Sequence, residues 1–336
     1  MSLEIRPRLD RRDWPVPPLT RFAPSPTGYL HLGHVVNAIY VWGVAKALGG
    51  GVRLRVEDHD RIRSRPEYER ALLEDLDWLG FVPDEGRHPL DRQSDRSTVY
   101  QGALRQLARK HHVYACRCSR KEIGGERYDG RCRNSGGPDK ARPTSFSAAP
   151  NADRRTGVSD ASDTGRPASL SDADGTGLRV VFEPGSEHTD DLLLGPLEQD
   201  PSEQCGDLLL RDRDGNWTYQ FAVVVDDLRQ GISLVIRGVD LVSSTGRQLR
   251  LARMLGDTAP PRYLHHPLVF GTSGEKLSKA ARDTGIRELR AQGLTAPEVI
   301  GRAAAAVGLI AAGTSLRAED VWTLFDTSST GQGVTF

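Results

Sequence analysis

Apolar residues recur at helical spacing directly after the stretch RFAPSPTGYLHLGH, which occupies residues 21–34. This spacing predicts a helix that ends at the glycines of 49–51. Its apolar face comprises Leu32, Val35, Val36 and Ile39. The segment VRLRVED follows and alternates apolar with charged residues, which predicts a strand. Further helices are predicted over about 66–80 and 94–110.

Beyond residue 177 the chain again predicts strands and helices in alternation. Strands are predicted at LRVVFEP, at DLLLRD and at ISLVIRGVDL. The run FAVVV at 221–225 is apolar on both faces, so we predict a central strand of a parallel sheet there. Helices are predicted over 244–255, in APEVIGRAAAAVGLI and around AEDVWTLF. Strands that alternate with helices indicate an α/β fold whose parallel sheet is covered on both faces.

One long segment interrupts this pattern. Residues 134–177 contain a single aromatic residue, Phe146, and few branched apolar residues. Such a segment buries too little apolar surface to offset the entropy lost when it becomes ordered. We therefore predict a mobile surface insertion over 134–177.

Charge and composition narrow the class of protein only slightly. Lys and Arg together number 45, as do Asp and Glu, so the formal net charge is zero and indicates no particular partner. An RNA partner would need a local basic face, which the region 84–135 offers, although a solvated charged surface explains that region equally well. The N-terminus lacks the apolar stretch of a signal peptide, and no apolar run is long enough to cross a bilayer. We expect a cytoplasmic protein with no membrane partner.

The stretch 21–34 carries candidate chemistry for nucleotide phosphates. Pro24 and Pro26 hold the backbone extended and Gly28 permits a sharp turn, so the helix would begin at the carboxyl end of a strand. The N–H groups at a helix N-terminus suit phosphate, and His31 and His34 can add donors there. A proline-rich loop with two surface histidines is the alternative, because short motifs have many false positives.

A second candidate lies far downstream, in GEKLSKA at residues 274–280. Lys276 and Lys279 stand three apart in a glycine-flanked loop and can neutralise charge on a polyphosphate. A solvated lysine-rich loop is the alternative.

A third candidate is a group of cysteines. Cys116, Cys118 and Cys132 fall close together, unlike a disulfide framework spread along a secreted chain. On spacing alone, a zinc site and three reduced thiols explain the group equally well. Cys205 stands alone, and we expect an inert thiol there.

The two phosphate motifs together resemble those of class I aminoacyl-tRNA synthetases. HLGH resembles their first signature, and KLSKA resembles their second, although its last position, often Ser, is Ala280 here. The blocks RFAPSPTGYLHLGH, LRVEDHD, YQFAVVVDD and VIRGVDLVSSTGRQ resemble the glutamyl branch and occur in its order across 20–285. Only residues 281–336 follow KLSKA, so the chain resembles the truncated paralogues of that branch, the glutamyl-Q tRNA(Asp) synthetases, which lack the anticodon-binding domain.

The resemblance implies a fold and a division into domains. The fold is α/β, a Rossmann-type doubly wound parallel sheet with a zinc-containing insertion and a short helical C-terminal part. The first half of the nucleotide-binding Rossmann domain is implied at 18–110, and the zinc-binding insertion domain follows at 111–215. The second half of the Rossmann domain, with its KLSKA loop, is implied at 216–284, and the helical C-terminal region at 285–336.

The resemblance also implies an activity. The family activates L-glutamate with ATP, without tRNA, to glutamyl-adenylate, and transfers the glutamate to queuosine at the wobble position of tRNA(Asp), whose anticodon stem-loop it meets. An ordinary or truncated glutamyl-tRNA synthetase, which charges the 3′ end of tRNA(Glu), is the alternative. A catalytically inactive RNA-binding paralogue is a second alternative. A monomer is expected.

Matching the family motifs to this chain assigns site residues. The glutamate site comprises Arg21, Phe22, Ala23, Pro24, Ser25, Glu57, Tyr219 and Arg237. The ATP site comprises Pro24, Gly28, His31, Gly33, His34 and Lys279. His31, His34, Lys276 and Lys279 have the catalytic roles, and Mg²⁺ accompanies ATP. From the residues alone, an ion pair of Arg237 with Asp240 is the preferred interpretation. For Glu57 it is a solvated strand end or an ion pair with Arg55.

The resemblance extends to the cysteine group. In this family the pattern C-x-C…Y-x-x-x-C binds one structural zinc ion, which assigns Cys116, Cys118, Tyr128 and Cys132 as its ligands. Three thiolates and one oxygen fill a tetrahedral shell. His111 and His112 are nearby alternatives to the tyrosine.

Overall fold

The computed structural model describes residues 7–125, 127–134, 175–269 and 285–326 of the 336-residue chain. The α-helices are α1 (Leu32–Ala47), α2 (Pro66–Leu79), α3 (Ser97–Lys110), α4 (Arg120–Ile123), α5 (Pro201–Cys205), α6 (Tyr219–Arg229), α7 (Thr245–Met254), α8 (Ile286–Ala291) and α9 (Ala296–Ala306). The strands are β1 (Leu19–Phe22), β2 (Gly51–Leu54), β3 (Val113–Cys116), β4 (Gly177–Val180), β5 (Glu187–Asp191), β6 (Gly195–Gln199), β7 (Leu208–Arg211), β8 (Leu234–Gly238) and β9 (Arg262–His266).

Two pairs of parallel strands form the centre of the fold. β1 pairs with β2, and β8 pairs with β9. Ser233 donates its N–H to the Leu19 carbonyl at 3.0 Å, so the starts of β8 and β1 also lie side by side. Leu192, just after β5, donates its N–H to the Tyr263 carbonyl of β9 at 2.8 Å. The carboxyl ends of these parallel strands meet at one edge, where ligands bind in such folds.

The remaining strands are antiparallel. β3, β4 and β7 form a three-stranded sheet, and β5 and β6 form a hairpin. The antiparallel sheet shares a buried core with α3, α6 and α7. A larger core surrounds α1, in which eleven of sixteen residues are buried.

The run 221–225 is helical, so the predicted central strand there is wrong. These residues lie within α6, and all five are buried. α6 packs against α3 on one side and α7 on another, which buries the apolar run from several directions. An apolar run without periodicity does not distinguish a buried helix from a central strand, and packing here overrides the strand preference of its three valines.

Most other predicted elements are confirmed. The first helix ends at Ala47, just before the glycines, and α2 ends at Gly80, whose φ of 84° is the left-handed conformation that glycine favours. The VRLRVED strand is shorter than predicted, since β2 ends at Leu54. AEDVWTLF forms a 3-10 helix over Ala318–Leu324.

The predicted insertion 134–177 falls largely outside the described residues. At its end, Gly177 already belongs to β4, so the predicted boundary lies slightly too late. Among the helices that the structure describes, none combines the length and the apolar character needed to span a bilayer.

Candidate active site

A cleft of about 530 Å³ opens at the carboxyl ends of β1 and β8, beside the N-terminus of α1. Eleven residues assigned by motif matching line it: Arg21, Phe22, Ala23, Pro24, Ser25, His31, Gly33, His34, Glu57, Tyr219 and Arg237. The other lining residues are Asn37, Ile236, Gly238, Asp240, Leu241, His266, Pro267, Leu268 and Val269. Residues that are distant in the sequence therefore meet in one cleft.

One described residue of the assigned ATP site is not among those that line the cleft. Gly28 lies in the bend over 26–28, away from the cleft wall. Lys276 and Lys279 lie outside the described residues. The described residues closest to them in sequence are at the cleft: Val269 lines it, and Gly285 forms a β-bridge with His31.

Arg237 is a buried cation with neutral partners. Its Nε–H donates to His265 Nε2 at 3.0 Å, and its terminal nitrogens donate to Gln248 Oε1 at 2.6 Å and Thr245 Oγ1 at 2.9 Å. Among the described residues, no carboxylate pairs with Arg237, and the pairing with Asp240 considered from the sequence is not formed. Burying a charge without a counter-ion is costly, so this arrangement favours an anionic ligand.

Arg21 is held differently, because it shares a counter-ion. Its Nε lies 3.2 Å from Asp227 Oδ1, and its Nη1 donates to the Ile236 carbonyl at 3.2 Å. Asp227 also accepts from Arg55, which is completely buried, at 2.8 Å. Arg55 in turn donates to Glu57 at 3.0 Å, so the ion pair considered from the sequence is present while Glu57 still lines the cleft.

Tyr219 and His266 complete the cleft wall. Burial raises the pKa of Tyr219, and the nearby Glu57 raises it further, so the hydroxyl stays protonated. His266 was not assigned from the sequence. Burial lowers the pKa of His266 to about 4, and its Nδ1–H donates to the Pro267 carbonyl at 2.8 Å. The cleft thus presents a phenol and a neutral imidazole besides its charged groups.

His31 caps α1 rather than lying within its first turn. Its Nδ1 accepts from the Gly33 N–H at 3.1 Å, and Nδ1 of His34 accepts from the His31 N–H at 3.1 Å. Because both Nδ1 atoms act as acceptors, the proton of each neutral ring is on Nε2, which can donate. A Cβ on Gly33 would lie 2.9 Å from His31 Cε1, so a larger residue here would push the His31 ring out of its capping position.

The three clustered cysteines meet around Tyr128. The Sγ atoms of Cys116, Cys118 and Cys132 all lie within 4.8 Å of one another. The Tyr128 hydroxyl is 3.5 Å from Cys116 Sγ and 3.9 Å from Cys118 Sγ. Ligands about 2.3 Å (sulfur) and 2.0 Å (oxygen) from one tetrahedral ion would stand roughly 3.5–3.8 Å apart. The two distances from the Tyr128 hydroxyl and the 3.5 Å between Cys118 Sγ and Cys132 Sγ are close to this range.

Arg179 lies against this cysteine cluster. Its Nε donates to Cys116 Sγ at 3.4 Å, and its guanidinium carbon lies 3.9 Å from the centre of the Tyr128 ring. Burial alone would raise the pKa of Cys116, but hydrogen bonds with Tyr128 and Arg179 outweigh burial and lower it. The surroundings therefore favour a thiolate at Cys116.

The other candidate thiol and imidazole ligands have different surroundings. His111 Nε2 lies 3.1 Å from the Met254 carbonyl, and the His112 ring packs against Tyr114. Neither belongs to the cysteine cluster. Cys205 is buried and donates to the Pro201 carbonyl at 3.1 Å, and burial raises the pKa of Cys205, as expected for an inert thiol.

Among the side chains that the structure describes, six of the basic residues in 84–135 form ion pairs within the fold. These pairs are Arg87–Asp77, Arg92–Glu69, Arg96–Asp226, Arg127–Glu203, Arg131–Asp129 and Arg133–Asp207. Such neutralisation reduces the basic face that the sequence alone suggested, and it favours a solvated charged surface for this part of the chain.

Parallel strands whose carboxyl ends meet a histidine-capped helix, together with an arginine-lined cleft, define a class I tRNA synthetase catalytic domain. Residues 19–315 match the family model for tRNA synthetases class I (E and Q), catalytic domain. The chain is 37% identical over 307 residues to the glutamyl-Q tRNA(Asp) synthetase of Nitratidesulfovibrio vulgaris, with 86% of each chain covered. The chain therefore belongs to the class I tRNA synthetases (E and Q) and, within them, to the glutamyl-Q tRNA(Asp) synthetases, a family of ligases.

Other similarities agree with this family. The chain is 39% identical over 294 residues to the glutamyl-Q tRNA(Asp) synthetase of Geobacter sulfurreducens, covering 84% of this chain and 81% of that protein. A glutamate–tRNA ligase 2 of Cereibacter sphaeroides is 35% identical over 276 residues, but the chain spans only 58% of it. Among solved structures, a glutamate tRNA ligase from Elizabethkingia meningosepticum in complex with its amino acid has a TM-score of 0.67 at 25% identity, covering 86% of this chain and 60% of that one.

Proposed function

We propose that the protein activates L-glutamate with ATP to glutamyl-adenylate, without tRNA, and transfers the glutamate to queuosine at the wobble position of tRNA(Asp). The names of the relatives that the chain matches over most of their length support this proposal. The observation that carries it is Arg237, a buried cation with neutral partners in a cleft that also holds Glu57. A dicarboxylic amino acid supplies a carboxylate as the counter-ion that Arg237 lacks, and an ammonium group that can donate hydrogen bonds to Glu57.

Each residue of the glutamate site has a proposed role. Arg21 and Arg237 bind the two carboxylates of glutamate, since a guanidinium offers paired N–H donors to a carboxylate. Glu57 accepts from the ammonium group, and the Tyr219 hydroxyl bonds to the substrate. The backbone wall formed by 22–25 encloses the amino acid. Because Glu57 is also bonded to Arg55, its carboxylate is fixed in direction.

Activation needs no covalent intermediate on the enzyme. A glutamate α-carboxylate oxygen attacks the α-phosphorus of ATP in line, and pyrophosphate leaves. The Nε2–H groups of His31 and His34 donate to phosphate oxygens at the N-terminus of α1, where the helix dipole also favours negative charge. We assign Lys276 and Lys279 to the phosphates by resemblance, with Mg²⁺ bound together with ATP. Pro24, Gly28 and Gly33 complete the proposed ATP site.

We propose that Cys116, Cys118, Tyr128 and Cys132 hold one structural Zn²⁺ ion. The distances among their sulfur and oxygen atoms support this set. Three thiolates and a phenolate around Zn²⁺ would leave a net negative charge, and Arg179 lies where it can offset that charge. Bound zinc would stabilise the fold around β3, because folding brings the four ligands together and the energy of metal binding then adds to that of folding.

The remaining proposals concern the whole chain. We propose the four segments 18–110, 111–215, 216–284 and 285–336 as its domain division. The first two boundaries fall between described helices and strands, which supports them. We also propose a monomer that binds the anticodon stem-loop of tRNA(Asp).

Two measurements test the function. The first is ATP–pyrophosphate exchange with glutamate in the absence of tRNA, which we expect to be robust. Exchange that requires tRNA would instead indicate an ordinary glutamyl-tRNA synthetase, and no exchange in either case would indicate an inactive paralogue. The second is transfer of labelled glutamate to tRNA(Asp) with and without queuosine. Equal labelling of both, or labelling of tRNA(Glu) alone, would contradict the proposed acceptor.

A further inference from the structure

A buried chain of hydrogen bonds runs from the hairpin β5–β6 to the cleft. Asp191 ends β5, and its Oδ2 lies 2.6 Å from Nδ1 of His265. On the other side of the ring, His265 Nε2 lies 3.0 Å from Nε of Arg237. Asp191 and His265 are completely buried, and Arg237 is 3% exposed. Solvent therefore does not compete for these bonds.

The direction of each hydrogen bond follows from its partners. The Arg237 Nε–H is only a donor, so His265 Nε2 must accept and His265 Nδ1 must carry the proton. Nδ1–H then donates to Asp191, whose Oδ1 also accepts the N–H groups of Leu193 and Leu194 at 3.0 and 2.9 Å. Burial lowers the pKa of His265 and Arg237 lowers it further, against the opposing effect of Asp191, which agrees with a neutral ring.

We infer that Asp191 and His265 are positioning residues, which orient Arg237 for the amino-acid substrate. The inference rests on the proposed role of Arg237 in binding glutamate. His265 takes the Nε–H, and Gln248 and Thr245 each take one N–H of a terminal nitrogen. Described residues thus occupy three of the five N–H donors and leave one on each terminal nitrogen for a ligand.

The tautomer of His265 is the critical variable. Asp191 selects the Nδ1–H form, which presents a lone pair to Arg237. If the proton moved to Nε2, two N–H donors would face each other and the guanidinium would lose one of the three hydrogen bonds that orient its plane. Fixing that plane before binding reduces the conformational entropy of Arg237 that is lost when glutamate binds.

Three isosteric or near-isosteric variants test the Asp191–His265 and His265–Arg237 hydrogen bonds separately. Asp191→Asn preserves shape but presents an N–H₂ group to Nδ1, which moves the imidazole proton to Nε2. His265→Asn can keep the donor to Asp191 but has no acceptor for Arg237, whereas His265→Gln can keep that acceptor through Oε1. Thermal unfolding establishes which variants are folded, and Asp191→Asn provides the test even if a His265 variant is not.

We expect Asp191→Asn and His265→Asn to raise the KM for glutamate in ATP–pyrophosphate exchange by roughly tenfold, the scale of a hydrogen bond to a charged group. The KM for ATP and kcat should stay near the wild-type values, because only binding of the amino acid is weakened. His265→Gln should recover most of the glutamate affinity. A ¹⁵N NMR spectrum of the histidine side chains should show the His265 proton on Nδ1 in the wild type and on Nε2 in Asp191→Asn.

Arg237→Ala separates failure of this inference from failure of the proposed function. If Arg237→Ala raises the KM for glutamate while Asp191→Asn and His265→Asn do not, the positioning role is wrong and the glutamate site stands. If Arg237→Ala leaves that KM unchanged, the proposed glutamate site is wrong and the inference falls with it. An unchanged ¹⁵N spectrum in Asp191→Asn would also overturn the inference, whatever the activity.

Discussion

At the scale of single residues, the cleft contains two arginines in opposite electrostatic situations. Arg21 shares Asp227 with Arg55, whereas Arg237 meets only neutral acceptors among the described residues. A buried arginine that already has a carboxylate is held in place, and one that lacks it attracts an anion. Arg21 thus faces the cleft with its charge partly neutralised by Asp227, whereas Arg237 carries a charge that no described carboxylate neutralises.

Asp227 should be important for stability as well as for the site. Replacing it with Ala would leave the buried Arg21 and Arg55 without their shared counter-ion, so we expect a loss of about 3–5 kcal/mol in the free energy of unfolding. Urea denaturation measures this loss. Glu203→Ala is the matched control, because its ion pair with Arg127 is exposed and should contribute about 0–1 kcal/mol. Similar losses of stability in both variants would contradict the role of Asp227 as the shared counter-ion of Arg21 and Arg55.

At the scale of elements, close packing determines which helical glycines can be replaced. In α9, a Cβ on Gly301 would lie 1.9 Å from the Thr314 carbonyl oxygen. Gly102 in α3 has no atom within 4 Å of the corresponding position among the described residues. The two glycines therefore differ in surroundings although both lie within helices.

The two glycine substitutions should change stability in opposite directions. Gly301→Ala forces backbone apart and should lower the free energy of unfolding by about 1–3 kcal/mol. Gly102→Ala should raise it by roughly 0.5–1 kcal/mol, because alanine favours the helix and meets no clash. Thermal or chemical denaturation of both variants tests the difference. A destabilised Gly102→Ala or a neutral Gly301→Ala would contradict this packing of α3 and α9.

The helix α2 should make stability depend on pH through Asp75. This side chain is 2% exposed, its Oδ2 has no hydrogen-bond partner among the described residues, and burial raises its pKa from 3.8 to about 6. The folded-state pKa is above the unfolded value, so the stabilisation is complete below about pH 4 and is lost as the pH rises through about 6.

Asp75→Asn removes this titration. Relative to wild type, the variant should gain roughly 1.4 kcal/mol of stability as the pH rises from about 5 to about 8, which is about half of the full effect of roughly 3 kcal/mol. Denaturation midpoints of both proteins at the two pH values give the comparison. A difference between wild type and variant that does not change with pH would show that Asp75 titrates normally.

At the scale of the whole molecule, the sequence predicts the cleft better than it predicts what supports the cleft. The residues of 21–34 and Glu57 belong to continuous sequence motifs that lie next to a strand or a helix N-terminus, so they can be recognised from the local sequence. Asp191 and His265 reach Arg237 from distant parts of the chain, and no local pattern announces their pairing. Partners of a buried polar group are determined by tertiary packing.

The same reasoning explains why the strand predicted at 221–225 is wrong while other elements are predicted correctly. Periodicity identifies an element with one exposed face, such as α2, but an element buried on several sides loses this signal. A local clue to Asp227 existed, since two adjacent acidic residues end the apolar run of α6. Charged residues at that position indicate buried ion pairs, and Asp226 indeed bonds to Arg96, Gln93 and Tyr100.

The cysteine cluster should affect the stability of the molecule as a whole. If zinc is bound, purified protein should contain about one equivalent of the metal, and a strong chelator should lower the midpoint of thermal unfolding. Cys132→Ser should have the same effect, and Cys205→Ser serves as the control thiol outside the cluster. Full metal content in Cys132→Ser, or none in the wild type, would exclude this ligand set.

The hairpin β5–β6 lies outside the cleft wall, yet its last β5 residue reaches the arginine that faces the substrate. It is also attached to α7, since Glu187 pairs with Arg253 and Gln199 accepts from the Gly246 N–H. A mutant library confined to the cleft lining would therefore leave this hairpin untouched. Selections for a changed amino-acid preference should include it, because adaptive changes can arise there without any direct contact with the substrate.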